Sequence, residues 1–177
     1  THPEIDFYFL FDRKFDDEFI FSENVKPVVL HPQARHPFLW YWWFEISVAG
    51  WLNKHKPDLF LSTDGYGCLK TAVPQVLVMH DLAYEHFRDN VPFLIRTYLK
   101  FFMPKYAQRA KHIATVSEFS KQDIIKRYNV SANKIDVVYN GAKEVYQPAN
   151  DETKQKVKQK YSEGKNYFIY VGSIHPR

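Results

Sequence analysis

The stretch Gln75-Val76-Leu77-Val78-Met79-His80-Asp81 decides how the rest of the chain is read. Gln75 to Met79 is a continuous, β-branched apolar run that stops at a histidine and an aspartate. Runs of this kind are strands buried on both faces, which belong in parallel sheets covered by helices. Upstream, Pro57 to Ser62 reads as a strand entering a turn at Asp64-Gly65. Downstream, a long helix is predicted from Pro92 to about Arg109, because Ile95, Leu99, Phe102, Tyr106 and Ala110 recur at spacings of three and four. Pro104 inside it predicts a kink. His112 to Val116 is the next strand. Ser117-Glu118-Phe119-Ser120 then opens a helix to Tyr128, with Ser117 or Ser120 as its N-cap. Lys134 to Tyr139 is a strand stopped by Asn140-Gly141. Strand, strand, helix, strand, helix, strand predicts an α/β fold with a mainly parallel sheet flanked by helices.

Toward the N-terminus, Ile5 to Phe11 and Lys26 to Leu30 read as two further strands. Phe38 to about Asn53 is apolar almost all round and fits a helix packed on several sides. All four tryptophans lie between Trp40 and Trp51, and most of that cluster is expected in the core. Toward the C-terminus come a polar stretch with Pro148, a Lys-rich helix from Asp151 to Tyr161 and a strand from Tyr167 to Val171. Three parts are expected: an α/β domain over residues 1–141, a linker over 142–150, and the start of a second domain over 151–177.

Composition narrows the function classes. The 177 residues are 45% hydrophobic and 25% charged with 6 glycines, which excludes disordered and collagen-like chains. One cysteine, Cys68, cannot form an internal disulfide and leans toward a reducing cytoplasm. The longest aromatic-rich run is seven residues, Phe38 to Phe44, against about 20 needed to span a membrane. Residues 1–100 carry 10 Lys+Arg against 13 Asp+Glu, and residues 101–177 carry 14 against 7. A basic second half suits phosphate-bearing ligands or an anionic surface.

In open parallel sheets ligands bind beyond the carboxyl ends of the strands. That rule selects Asp64 and Gly65, His80 and Asp81, Ser117 and Glu118, Asn140 and Gly141, and the segment from Gly172 to Arg177. The His80 imidazole can bond a substrate hydroxyl or phosphate, with Asp81 setting its tautomer or binding the same substrate. Ser117-Glu118 reads first as a helix cap, and also as a helix N-terminus able to hold an anion. Asp16-Asp17-Glu18, His31 and His36 lack metal-ligand spacing, so no metal is expected. Arg96, Lys100, Lys105 and Arg109 form no single basic face unless the Pro104 kink creates one, since Arg96 and Lys105 point about 180° apart on a helix. Lys154, Lys156, Lys158 and Lys160 spread around theirs, and nucleic-acid binding is not expected.

Four ordered motifs then resemble a known family. Val78-Met79-His80-Asp81-Leu82-Ala83-Tyr84-Glu85-His86-Phe87 is similar to the "HDL" region of family 4 (group 1) retaining glycosyltransferases. Ala114-Thr115-Val116-Ser117-Glu118-Phe119-Ser120-Lys121-Gln122-Asp123-Ile124 resembles that family's "TVSEFSKxDI" signature. Ile135 to Gly141 resembles its "I-x-V-x-x-N-G" element, and Tyr170 to Arg177 the first strand and loop of its donor domain. Ala34 to Trp40 and Ser62 to Tyr66 resemble a mannosyltransferase-like branch. The resemblance implies two Rossmann-like domains around a cleft, the GT-B arrangement, of which this chain would be the acceptor-side half. It implies a nucleotide-sugar donor, a glycan or lipid-linked acceptor, retention of anomeric configuration, and no cofactor or essential metal. It places His80 near the transferred sugar and Gly172, Ser173 and Arg177 at the donor diphosphate.

The same resemblance implies that the family's first strand and Gly-rich loop precede Thr1. A phosphate-contacting Lys and the paired glutamates E-x₇-E would follow Arg177, and Ser173 stands where some relatives carry Arg. The 177-residue chain is therefore expected to be inactive alone. Its sheet, lacking that strand, would expose an edge through which two copies could pair. Two other readings stay open at this point: a non-catalytic module that binds glycan or phosphate, and a membrane-associated acceptor-binding domain at the cytoplasmic face, motivated by the Phe38–Trp51 aromatics and the basic second half.

Overall fold

The structure, a computed structural model, describes residues 2–172. It contains two compact units, residues 1–139 and 140–177. The first is α/β with parallel sheets. A four-stranded sheet has the order β3-β4-β5-β6, formed by Phe60–Ser62, Gln75–Val78, His112–Thr115 and Ile135–Val137, every neighbour parallel. The strand order follows the chain order. Each crossover from β4 onward carries a helix: α3 (Ala83–His86) and α4 (Phe93–Arg109) after β4, and α5 (Glu118–Tyr128) after β5.

The centre of this sheet is dry. Leu77, Met79, Ile113 and Ile135 are buried with Met103, Tyr106 and Ala107 of α4 and with Ile124 and Tyr128 of α5. Pro104 sits within α4, which runs unbroken from Phe93 to Arg109. Two strands preceding this sheet pair separately: β1 (Phe7–Phe11) with β2 (Val25–Val29), parallel, with Phe9 opposite Pro27. A proline in β2 removes one ladder donor and suits an edge strand. Among the described residues no strand pairs with the other edge of β1, β2, β3 or β6.

One helical rod connects the two sheets. It runs through α1 (Pro37–Trp42), a π-helical segment (Trp43–Val48) and α2 (Ala49–His55). Its buried Trp43, Phe44, Val48, Ala49 and Leu52 pack with Leu10 of β1 and Phe60 of β3. Indole N–H groups fix its start: Trp40 donates to the Ala34 carbonyl at 2.6 Å and Trp43 to the Leu30 carbonyl at 3.1 Å. Glu45, in the π segment, is 2% exposed, and its carboxylate accepts the Leu69 amide at 3.0 Å from both oxygens. The sequence reading expected most of this aromatic cluster inside. Trp43 and Phe44 are buried and Trp40 and Trp51 half-buried against them, while Phe38 and Trp42 face outward with Leu39 and Ile46, because the rod is covered on one side only.

The second unit contains α6 (Asp151–Ser162), capped by Asn150, whose side chain accepts the Thr153 amide at 2.9 Å. The strand expected at Tyr167 to Val171 does not form. Phe168, Ile169, Tyr170 and Val171 are exposed, and no strand among the described residues of this unit offers their backbone a ladder.

Candidate functional site

Because β3 to β6 are parallel, their carboxyl ends share one edge, and the loops after β3, β4 and β5 meet there. Asp64-Gly65, His80-Asp81 and Ser117-Glu118 occupy those loops. Hydrogen bonds through His80 join all three. Its Nε2 lies 3.2 Å from the Thr63 carbonyl in the β3 loop. A carbonyl only accepts, so Nε2 is the donor in this bond. The His80 carbonyl in turn accepts the Ser120 hydroxyl of α5 at 3.0 Å. One residue earlier, the Met79 carbonyl accepts the buried Thr115 hydroxyl at 2.6 Å. Backbone and ring of His80 are thus held from both neighbouring loops.

Gly65 has a backbone requirement. Its φ is +75°, and a Cβ there would meet Met103 Cε at 3.2 Å and the Val78 carbonyl at 3.4 Å. The β3 loop can approach the end of β4 only with glycine at this position. Asp64 is exposed, and its charge adds to burial in raising the Tyr66 phenol above its ordinary pKa. Asp81 turns one oxygen to the Ala83 amide at 2.9 Å and so opens α3. Ser117 is the α5 N-cap: its oxygen accepts the Ser120 amide at 3.1 Å. Capping leaves the Glu118 and Phe119 amides outside the helix's own ladder at the positive end of its dipole.

Below this edge, α3 is tied to α5 by charge. His86 Nε2 and Arg127 Nε bond the two oxygens of Asp123 at 2.6 and 2.7 Å. Burial pushes the Asp123 carboxyl up, but the hydrogen bonds from His86 and Arg127 outweigh it and hold the group below 3.8. The loop bearing His80 and Asp81 therefore has a charged anchor at its far end.

Asn140 and Gly141 lie in the second unit, exposed, with open space where a Gly141 Cβ would stand. Gly172 is also exposed in that unit. Ser173 and Arg177 lie outside the described residues. Sequence reasoning passed over Thr63 and Thr115 and took Ser120 only as a possible N-cap; the roles of all three run through backbone carbonyls. The one usable signal was that Thr115 and Ser120 stand within the motif already quoted. Cys68 is buried and its thiol is pushed far up, first by burial and then by Glu45, so it is no nucleophile. Among the described residues no group of three or more His, Cys, Asp or Glu could hold a metal ion, and no helix is long and apolar enough to cross a membrane.

Comparison with known proteins follows the same residues. The chain is 32% identical over 102 residues to the O-antigen chain mannosyltransferase RfbU of Salmonella typhimurium (strain LT2), covering 58% of this chain and 25% of that protein. It therefore spans about a quarter of that relative's length. A solved glycosyltransferase from Rickettsia africae ESF-5 aligns with a TM-score of 0.49 and 16% identity over 90% of this chain and 42% of that one. The Glycosyltransferase Family 4 profile matches residues 5–144, which include His80, Ser117 and the strands that position them. By that match the chain belongs to glycosyltransferase family 4.

Proposed function

We propose that residues 1–141 are the acceptor side of a retaining hexosyltransferase that moves a sugar from a nucleotide-sugar to a glycan or lipid-linked acceptor. Residues 142–150 link them to the start of a donor-binding domain at 151–177, in a GT-B arrangement at the cytoplasmic face of a membrane. The likeness to RfbU supports mannose as the transferred sugar and a cell-surface polysaccharide as the product. The observation that carries the reading is the His80 junction, a ring bonded to Thr63 and a backbone bonded to Ser120. So fixed, Nδ1 of His80 can accept a sugar hydroxyl in one orientation, and Asp64 and Asp81 supply carboxylates on the same edge. The α5 amides offer positive charge without a metal. Asn140 and Gly141 are assigned to acceptor contacts, and Gly172, Ser173 and Arg177 to the donor diphosphate.

The test is transfer from radiolabelled nucleoside-diphosphate mannose by the protein in its complete length, with and without EDTA. The reading predicts transfer insensitive to EDTA and none from the 177-residue chain alone. Transfer abolished by EDTA would contradict the metal-free part, and transfer by the isolated chain would contradict the division of labour.

A further inference from the structure

Phe93, Arg96, Thr97, Lys100 and Phe101 recur along α4 at spacings of three and four and so share one face of it. Arg88, in the turn Arg88–Asn90 that precedes α4, borders that face, and Arg88, Arg96, Thr97, Lys100 and Phe101 line an open hollow of about 460 Å³. The sequence reading found no basic face on α4, and the helix alone has none of that kind. The third cation comes from a different element.

The cations here are weakly paired. Arg96 gives one N–H to the Arg88 carbonyl at 3.1 Å and stands over the Phe93 ring. Lys100 has its nearest carboxylate, Glu85, at 3.8 Å, and Glu85 is shared with Arg127 at 4.0 Å. Asp89 is the other acid in the connection, beside Arg88. The rings next to these cations stay largely exposed: Phe93 is 69% and Phe101 56% exposed, with Lys105 over one face of Phe101 and Leu94 at 50% beside them. The lysines of α6 differ. Lys154 and Lys156 pair with Asp151 and Glu152 at 3.0 and 2.7 Å, and Lys158 bonds Asn166 at 2.7 Å.

We infer that the Arg88–Arg96–Lys100 face binds the phosphate groups of membrane lipids, with Phe93 and Phe101 entering the interface beside them. Cations interleaved with exposed aromatics are matched by a surface that offers phosphate oxygens and hydrocarbon together. Along the chain, the His80 loop leads through α3 and the Arg88–Asn90 turn into α4. The inference deepens the acceptor reading and rests on it only for the sugar such a lipid would carry.

The experiment is sedimentation of the chain with vesicles of phosphatidylcholine, alone or mixed with phosphatidylglycerol, at low and raised salt. Binding is expected to the mixed vesicles, to fall with salt, and to drop about fivefold per cation removed, hence about 25-fold in the double variant Arg96→Ala/Lys100→Ala. Lys154→Ala/Lys156→Ala removes the same charge from α6 and should change binding less than about twofold. Phe101→Ser, at an exposed position, should weaken binding with unchanged thermal unfolding. No binding to mixed vesicles, equal binding to phosphatidylcholine alone, or equal loss in the two double variants overturns the inference. So does full displacement by equimolar inorganic pyrophosphate, which marks a site for soluble anions. Sugar transfer is not read in this assay, so its outcome and that of the acceptor reading separate.

Discussion

The two sheets of the first unit are both parallel and both pack against the same helical rod, yet they differ in what covers them. β4 and β5 bury Leu77, Met79, Ile113 and Thr115 beneath α4 and α5. β1 and β2 leave Phe7, Tyr8 and Val29 exposed, and the rings of this region stack largely on one another, as Phe11 does on Phe15. This cover, complete on the face of Leu77 and Ile113 and partial at Val76, Val78 and Ala114, lets the carboxyl edge of the larger sheet hold a side chain by its backbone, as Ser120 and Thr115 hold the His80 loop. The smaller sheet carries Phe7, Tyr8, Phe9 and Phe11 in β1 without that support, and no part of the candidate site rests on it.

Substitutions can break this comparison. The largest stability loss is expected from Ile113→Ala, about 2–5 kcal/mol by chemical denaturation, since its cavity opens in a fully buried layer. A loss below about 1 kcal/mol would mean that the larger sheet is no better packed than the smaller. Glu45→Ala should cost about 1–3 kcal/mol by leaving the Leu69 amide without its acceptor, while Glu45→Gln keeps one and should recover most of it. Equal losses in the two variants would show that the charge, not the acceptor, matters there.

The acid response of the larger sheet's helices sharpens the contrast further. The Asp123 carboxyl is depressed in the folded state, so it adds stability above its unfolded pKa and loses it as pH falls through the folded value. Asp123→Asn should therefore be less stable than the parent near neutrality, and the gap should close below about pH 3.8. A gap constant with pH would show that the His86 and Arg127 contacts act without ionisation. The smallest effect is expected from Tyr8→Ala in β1, under about 1 kcal/mol, because Tyr8 is half exposed and its ring mainly touches Trp51.

The same difference in cover governs what could be read from the residues. Gln75 to Met79 announces a strand by its continuous apolar run, although Val76 and Val78 are only half-buried where burial on both faces was expected, and from it the α/β order and the His80 position followed. Ile5–Phe11 and Lys26–Leu30 were legible as strands, but their separate pairing was not, since register and partner leave no periodic mark. The π segment at Trp43–Val48 shows the same limit: an all-round apolar stretch cannot tell one turn from a wider one. Tyr167 to Val171 carries a strand's composition without a partner to pair with. Thr63 and Thr115 escaped, and Ser120 showed only as a possible N-cap, because their roles run through carbonyls; the Arg88–Arg96–Lys100 face escaped because its cations come from two elements.

The central claim is that the carboxyl edge of the larger sheet binds the reacting sugar through His80. Its most direct test is nucleotide-sugar transfer by the complete protein carrying His80→Ala, with thermal unfolding measured alongside. The account predicts at least a hundredfold loss of transfer, about 2.7 kcal/mol of lost transition-state stabilisation, with the unfolding temperature unchanged. Transfer retained within about threefold would contradict it.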